Sequence, residues 1–299
     1  MLGQFKGEFA ALSAAFLWAV AAIFYGRATQ EIASRPLNLL KGILAMSMLG
    51  LTLILTGEGI TAVEPQALTR LLLSGILRIG LGDTAYFEAL KALGPRRALL
   101  LGVLAPPLTA IIAMIFLGEQ LPLNAWLGIA LTVSGVTWVI SEQENSTSGP
   151  CNTSWRGIGF GLLAAVSQSV GAVLSRVAFT STTVSPLWSA LIRLAAGFVI
   201  VLLWGLVAKR GKSNWTPLKT SKGLWAVILT ATFLGTYLGI WLQQISLKFT
   251  QAGTAQTLLA TSQLFILPIA AWKGETISIR AVLGAVIALC GVALLFGLI

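Results

Sequence analysis

Apolar blocks of about 20 residues recur along nearly the whole of this 299-residue chain, and their length sets what it can fold into. A bilayer core of about 30 Å is crossed by roughly 20 helical residues rising about 1.5 Å each. Inside lipid a spanning segment must satisfy its own backbone N–H and C=O groups, so runs of this kind form helices. Breaks at Gly, Pro and charge clusters predict spans near 8–26, 37–56, 68–90, 97–118, 123–141, 156–178, 187–208, 223–246, 252–273 and 278–298. The predicted fold is an all-α polytopic membrane protein with ten transmembrane helices. The first block reads as a span rather than a signal peptide. Lys6 is the only basic residue before it, and Tyr25-Gly26-Arg27 follows where a small-residue cleavage site would stand.

Hydrophobic residues make up 56% of the chain and charged residues 10%, which excludes an ordinary soluble domain. Twenty Lys and Arg against ten Asp and Glu would suggest nucleic acid in a soluble protein. Here most of those cations sit in loops or near span ends, so the excess reads as membrane topology and no nucleic acid is expected. There is no histidine, which removes a His-based triad, a His metal site and a His proton relay. Cys151 lies in a loop and Cys290 in the last span, without metal-ligand spacing. No metal or cofactor is expected. The longest polar connections are 141–155 and 208–223, and the first divides the chain near its midpoint. Within it, "NST" (145–147) and "NTS" (152–154) match the glycosylation pattern.

The two halves resemble each other. "FLWAVAAIF" (16–24) lies over "VSQSVGAVL" (166–174) at an offset of 150, and "NLLKGILA" (38–45) over "ALIRLAAG" (190–197) at 152, pairing Lys41 with Arg193. "FLGEQLPLNAWLGIALTVSGV" (116–136) lies over "WKGETISIRAVLGAVIALCGV" (272–292) at 156, pairing Gly118-Glu119 with Gly274-Glu275, Gly128 with Gly284 and Gly135 with Gly291. The organisation expected is a five-helix repeat over 1–142, a connecting loop over 143–155 and a second five-helix repeat over 156–299. Five is odd, so the second unit enters the membrane from the opposite side, giving two inverted five-helix repeats. In transporters that arrangement places a site near the midplane between the repeats.

An early Trp-containing span, the block "G-E-x-[LI]" after spans four and nine, and the following "LG-x-x-[LI]-x-x-x-G-V" are thus doubled. This pattern resembles the EamA-type branch of the drug/metabolite transporter superfamily, over about 7–140 and 156–298. The resemblance implies a ten-helix secondary carrier of small metabolites, often an exporter, in the plasma (inner) membrane and without an ATPase domain. Such proteins often carry a proline in spans four and nine where the helix lines the cavity. Span four here has Pro106-Pro107, whereas span nine has Pro268 farther along and Ser262-Gln263 at the matching site.

Polar groups inside the spans mark the candidate site. Span three carries Arg78, Asp83 and Glu88, and a charge at mid-bilayer costs about 2.5 to 3.5 kcal/mol on translocon scales. They need partners or a wet cavity. At about 100° per residue, Arg78 and Asp83 should lie about 140° apart and face different neighbours. One reading makes Arg78 an anchor for a substrate carboxylate or phosphate, with Asp83 or Glu88 taking up a proton. The other is a structural ion pair, and for Glu88 a surface pair with Lys91. Lys41 and Arg193 either snorkel to headgroups or, as matched cations, meet an anionic substrate alternately from the two faces.

Trp18 and Trp241 lie deeper than the tryptophans of the interfacial belt and are candidates for cavity walls. Gln168 matches Trp18, and Gln243 matches Tyr86 at an offset of 157, so a pocket with aromatic and amide walls is expected. Gln244, Ser262 and Gln263 complete the polar set, with helix-to-helix hydrogen bonding as the competing reading. Pro106-Pro107 removes backbone hydrogen bonds within span four and predicts a kink and hinge. Gly75, Gly80 and Gly82 read as packing residues.

Thirteen Lys and Arg lie in or near loops 1–2, 3–4, 5–6, 7–8 and 9–10, against four on the other face. That bias places both termini outside the cytoplasm, whereas the resemblance implies both inside. The expected function is secondary transport of small polar or amphiphilic metabolites such as amino acids, by alternating access and coupled to protons. The partners are then the lipid bilayer, a small-molecule metabolite and protons, and both a monomer and a homo-oligomer are compatible with the chain. The alternatives are an ion or solute channel and a non-transporting scaffold. An intramembrane enzyme is disfavoured by the absence of His and of a paired Asp motif.

Overall fold

A computed structural model of the protein describes residues 5–32, 34–59, 63–93, 95–142, 155–207, 222–272 and 278–297. Cys151, both glycosylation tripeptides, Gly274-Glu275 and nearly all of the two long polar connections lie outside them. The first half contains α1 (Lys6–Glu31), α2 (Ser34–Thr56), α3 (Pro65–Gly75), α4 (Asp83–Leu93), α5 (Pro95–Gly102), α6 (Ala105–Leu117) and α7 (Leu123–Glu142). The second contains α8 (Trp155–Ser181), α9 (Pro186–Val207), α10 (Lys222–Ala231), α11 (Gly239–Phe249), α12 (Ala252–Ala260), α13 (Ser262–Trp272) and α14 (Ile279–Leu295).

Among the described residues, seven helices are long and apolar enough to cross a membrane: Lys6–Ala28, Pro36–Thr56, Ala98–Leu117, Leu123–Ser141, Trp155–Ser181, Pro186–Leu203 and Gly223–Phe249. The other three expected spans depart from that pattern for visible reasons. Residues 65–93 are helical without interruption but carry Arg70, Arg78, Asp83, Glu88 and Lys91. Residues 252–272 are interrupted at Thr261, and α14 has only 17 residues. Large apolar side chains such as Ile54, Leu55, Ile115 and Phe116 stand exposed while Ser169, Arg193, Gln243 and Gln244 are buried. This is the distribution that a lipid surround and a polar interior produce.

Two local features recur in both halves, the first at an offset of 156 and the second within two residues of it. A π-helical segment, Ile76–Gly82, joins α3 to α4, and another, Thr232–Leu238, joins α10 to α11, 156 residues later. A π turn bonds residue i to i+5, widening the helix, and such segments are frequent at functional sites. The second feature is a break. Span four turns at Val103-Leu104 and restarts as α6, while span nine turns at Thr261 and restarts as α13.

Pro106 and Pro107 sit in the first turn of α6, where a missing N–H costs no helical bond. The expected kink in one continuous helix is therefore a junction between two helices. Span nine makes its break without proline: the Thr261 hydroxyl and backbone N–H both donate to the Leu258 carbonyl, at 2.6 and 3.2 Å.

The halves interlock. α1 packs against α10, α11, α12 and α13, and α8 packs against α3, α4, α5 and α6, so each half's first helix lies on the third and fourth predicted spans of the other. α7 and α14 cross antiparallel. A Cβ added to Gly135 would lie 2.4 Å from the Gly284 carbonyl oxygen, and one added to Gly128 would lie 2.8 Å from that of Gly291. Only glycine admits so close a backbone approach.

Candidate functional site

Where these segments converge, a cavity of about 280 Å³ opens. Its polar wall comes from span three, through Arg78, Asp83 and Tyr86, and from Gln168 of α8. Trp18 of α1 also lines it, and the two helix breaks contribute Pro106 from span four and Ser262 with Gln263 from span nine. Val103, Val136, Ile140 and Leu259 supply apolar surface that no polar signal in the sequence marked.

The π-helical segment corrects the expected geometry of span three. With i to i+5 bonding in place of i to i+4, residues five apart fall nearly above one another rather than about 140° apart. Arg78 Nη1 accordingly lies 3.8 Å from Asp83 Oδ1. Arg78 fits against α8 because position 171 is glycine, where a Cβ would come within 2.8 Å of the Arg78 Cβ. The Arg78 Nε is buried without a hydrogen-bond partner among the described residues.

The second π-helical segment positions Trp18. The Trp18 Nε1–H donates to the Gly235 carbonyl, inside this segment, at 2.9 Å. A Cβ on Gly239 would fall 2.4 Å from the same nitrogen, so the indole occupies a notch that glycine leaves open. Gly239 is the counterpart of Asp83 at the 156-residue offset. Where the first half places a carboxylate, the second leaves a notch that the indole of the first half's α1 occupies.

Other candidates lie off the cavity wall. Lys41 in α2 holds its Nζ 5.5 Å from the centre of the Tyr25 ring, within electrostatic range of Asp83. Arg193 in α9 does not snorkel to a headgroup. It is 2% exposed, its backbone oxygen lies against Gly75, and its charge acts on Arg78. Glu88, partly buried, follows Asp83 along α4. Gln244 accepts a hydrogen bond from the Ser189 hydroxyl at 2.8 Å and so joins α11 to α9. Trp241 packs on Tyr237 with ring centres 5.9 Å apart. Gln243 is buried in α11. The matched π-helical segments fix the register here at 156, which pairs Gln243 with position 87 rather than with Tyr86. Pro107 follows Pro106 in α6 but does not line the cavity.

One cluster escaped the sequence reading, which took Glu119 only as a repeat marker. Arg176 Nε donates to Glu119 Oε1 at 2.6 Å, and its Nη1 donates to the carbonyls of Leu247 and Lys248 at 3.0 and 2.7 Å. Glu119 Oε2 accepts from the Ala252 N–H at 2.9 Å. The group ties together the chain after α6, the C-terminal part of α8, the end of α11 and the start of α12. The cavity lies toward the opposite ends of these spans, where Leu99 and Gly161 stand.

Comparison with known proteins places this architecture. A solved structure, described only as a crystal structure of a protein, superposes with a TM-score of 0.80 over 99% of this chain and 98% of its own, at 16% identity. A Sinorhizobium protein named as an uncharacterized transporter in the cobO 3' region is 34% identical over 128 residues, covering 42% of this chain and 89% of that protein. The EamA-like transporter family matches residues 5–141 and again 155–297. Taken with the doubled π-helical segments and breaks, that double match identifies the membrane protein: the chain belongs to the EamA-like transporter family.

Proposed function

We propose that this transporter is a secondary carrier that moves a small polar or amphiphilic metabolite, of the amino acid type, outward across the plasma (inner) membrane by alternating access. In this reading all ten segments span, as two oppositely inserted five-helix repeats over 1–142 and 156–299. The observation that carries it is the cavity itself, walled by the helix break of each half, by the π-helical segment of the first half and by α8 of the second. Discontinuous helices at the interface of inverted repeats are where carriers of this kind bind solute and coupling ion. The antiparallel crossing of α7 and α14 supports the inversion. The cluster of Glu119 and Arg176 supports a state closed at one face with the cavity toward the other.

Arg78 and Asp83 form the polar end of the site, and Trp18 with Tyr86 the aromatic wall. Asp83 takes up the coupling proton, with Glu88 as the second carboxylate, and the α5–α6 junction at Pro106-Pro107 is the hinge. Proteoliposomes preloaded with a labelled amino acid mixture test this: a carrier exchanges internal for external solute faster than it releases it, whereas a channel shows no such acceleration. If Asp83→Asn and Glu88→Gln both leave pH-gradient-driven uptake unchanged, neither residue is the coupling site.

A further inference from the structure

One cation and one carboxylate line the cavity, and two further cations lie off its wall in the neighbouring helices α2 and α9. Arg78 and Asp83 are the charged residues that line it. Lys41 of α2 holds its Nζ 5.5 Å from the centre of the Tyr25 ring and lies within electrostatic range of the Asp83 carboxylate. Arg193 stands behind Arg78. Its backbone oxygen lies against Gly75, three residues before Arg78 on the same helical run, and the two guanidinium charges act on each other. Although Arg193 is 2% exposed, its Nε and Nη1 have no hydrogen-bond partner among the described residues, and the Arg78 Nε shares that condition.

A charge held out of water is costly unless an opposite charge meets it, and that cost falls chiefly on Arg193, since Arg78 and Asp83 face the cavity and Lys41 is only partly buried. One aspartate does not neutralise three cations. The second half has no Asp or Glu among its described residues, and the counterparts of Arg78 and Asp83 at the 156-residue offset are Leu234 and Gly239. Glu88 is not on the cavity wall.

We infer that the cavity takes a small solute of net negative charge, a carboxylate or phosphate ester, with its anionic group at Arg78 and with Arg193 and Lys41 adding positive potential from behind. This rests on the carrier reading and narrows its amino acid type to acidic, net-anionic members and related acids, since zwitterions and cations leave the excess positive charge in place. A volume of about 280 Å³ lies at the lower end of small-molecule pockets, roughly 300–1,000 Å³. The solute is accordingly small.

The test uses the full-length protein in detergent and a cell metabolite extract divided at pH 7 on an anion exchanger. The retained fraction holds net-anionic solutes, and the flow-through holds neutral, zwitterionic and cationic ones. The retained fraction raises the melting temperature, as a solute binding only the folded state must. Arg193→Met and Lys41→Met each raise the amount needed for a half-maximal shift about tenfold, while Arg193→Lys stays within about twofold. Two positions are used so that a variant that fails to fold does not end the test. A shift confined to the flow-through, no shift with the retained fraction, or indifference to both methionine variants overturns the charge assignment. The carrier reading is judged separately in proteoliposomes: exchange of flow-through solutes leaves it standing, and exchange of neither fraction overturns it.

Discussion

Thr132 Oγ1 lies 3.4 Å from the carbonyl oxygen of Ala288, the residue that stands in its own place 156 positions later. A residue touching its own counterpart marks the pseudo-symmetric centre of the contact between α7 and α14. Gly135 meets Gly284, the counterpart of Gly128, while Gly128 meets Gly291, the counterpart of Gly135. Each helix thus presents to the other the surface that the other presents to it. Such a contact requires the two helices to run in opposite directions, which is what five-span copies inserted from opposite sides would give.

The crossing depends on backbone proximity rather than on the threonine bond. Gly135→Val is expected to cost about 1–3 kcal/mol, because its Cβ has no free space and both backbones must separate. Thr132→Val removes a hydrogen bond already at its long limit and is expected to cost about 0.6 kcal/mol or less. Melting of the purified protein in detergent ranks the two. A larger loss for Thr132→Val would mean that the hydroxyl, not the glycine contact, holds the helices together.

Much of the cavity was legible because lipid leaves polar residues few places to go. Trp18, Arg78, Asp83, Tyr86, Gln168, Ser262 and Gln263 are conspicuous within apolar runs, and all seven line it. The π-helical segments were not legible, because reckoning at 100° per residue assumes the regular helix that Ile76–Gly82 abandons. That assumption separated Arg78 from Asp83. The break in span nine was hidden for a related reason: it is made by Thr261 capping a carbonyl, without the proline that announces its partner in span four. Arg193 and Lys41 were visible as a matched pair, but their approach to Arg78 and Asp83 depends on helix packing that a single sequence does not encode in any local pattern. The pairing of Glu119 with Arg176, 57 residues apart, is equally non-local.

That pair supplies the next prediction. The Arg176 and Glu119 side chains are 15% and 12% exposed, and every contact they make joins a different segment. Removing one partner from a buried pair costs about 3 kcal/mol, much of it from the charge left behind. Glu119→Gln and Arg176→Gln are each expected to destabilise strongly, while the double variant loses less than the sum of the two. Additive losses would show that the two side chains act through their backbone contacts independently. In transport, Glu119→Gln is expected to raise passive leak, measured as solute efflux without a gradient of the exchanging solute.

Trp18 offers a test that separates shape from polarity. Trp18→Phe keeps an aromatic wall but leaves the Gly235 carbonyl without the indole donor, at an expected cost of about 1 kcal/mol. Trp18→Ala also enlarges the cavity beside Gly239. The phenylalanine variant should retain transport with KM changed less than about threefold, and the alanine variant should raise KM about tenfold or more. Equal effects on KM would place the importance of Trp18 in the Gly235 bond alone.

Arg78 is the residue on which the competing readings diverge most. As half of a structural ion pair, it needs only a positive charge 3.8 Å from Asp83. As an anchor for a carboxylate or phosphate it needs the planar fork, because a guanidinium binds such groups through two parallel N–H donors and an ammonium does not. Arg78→Lys separates these demands, since it keeps the charge and discards the fork. The expected outcome is a melting temperature close to that of the parent, a KM raised about tenfold and a kcat changed far less, the signature of a lost binding contact. A lysine variant that transports with the parent KM, beside an alanine variant that does not fold, would assign Arg78 to the scaffold and move the binding role to other groups on the wall.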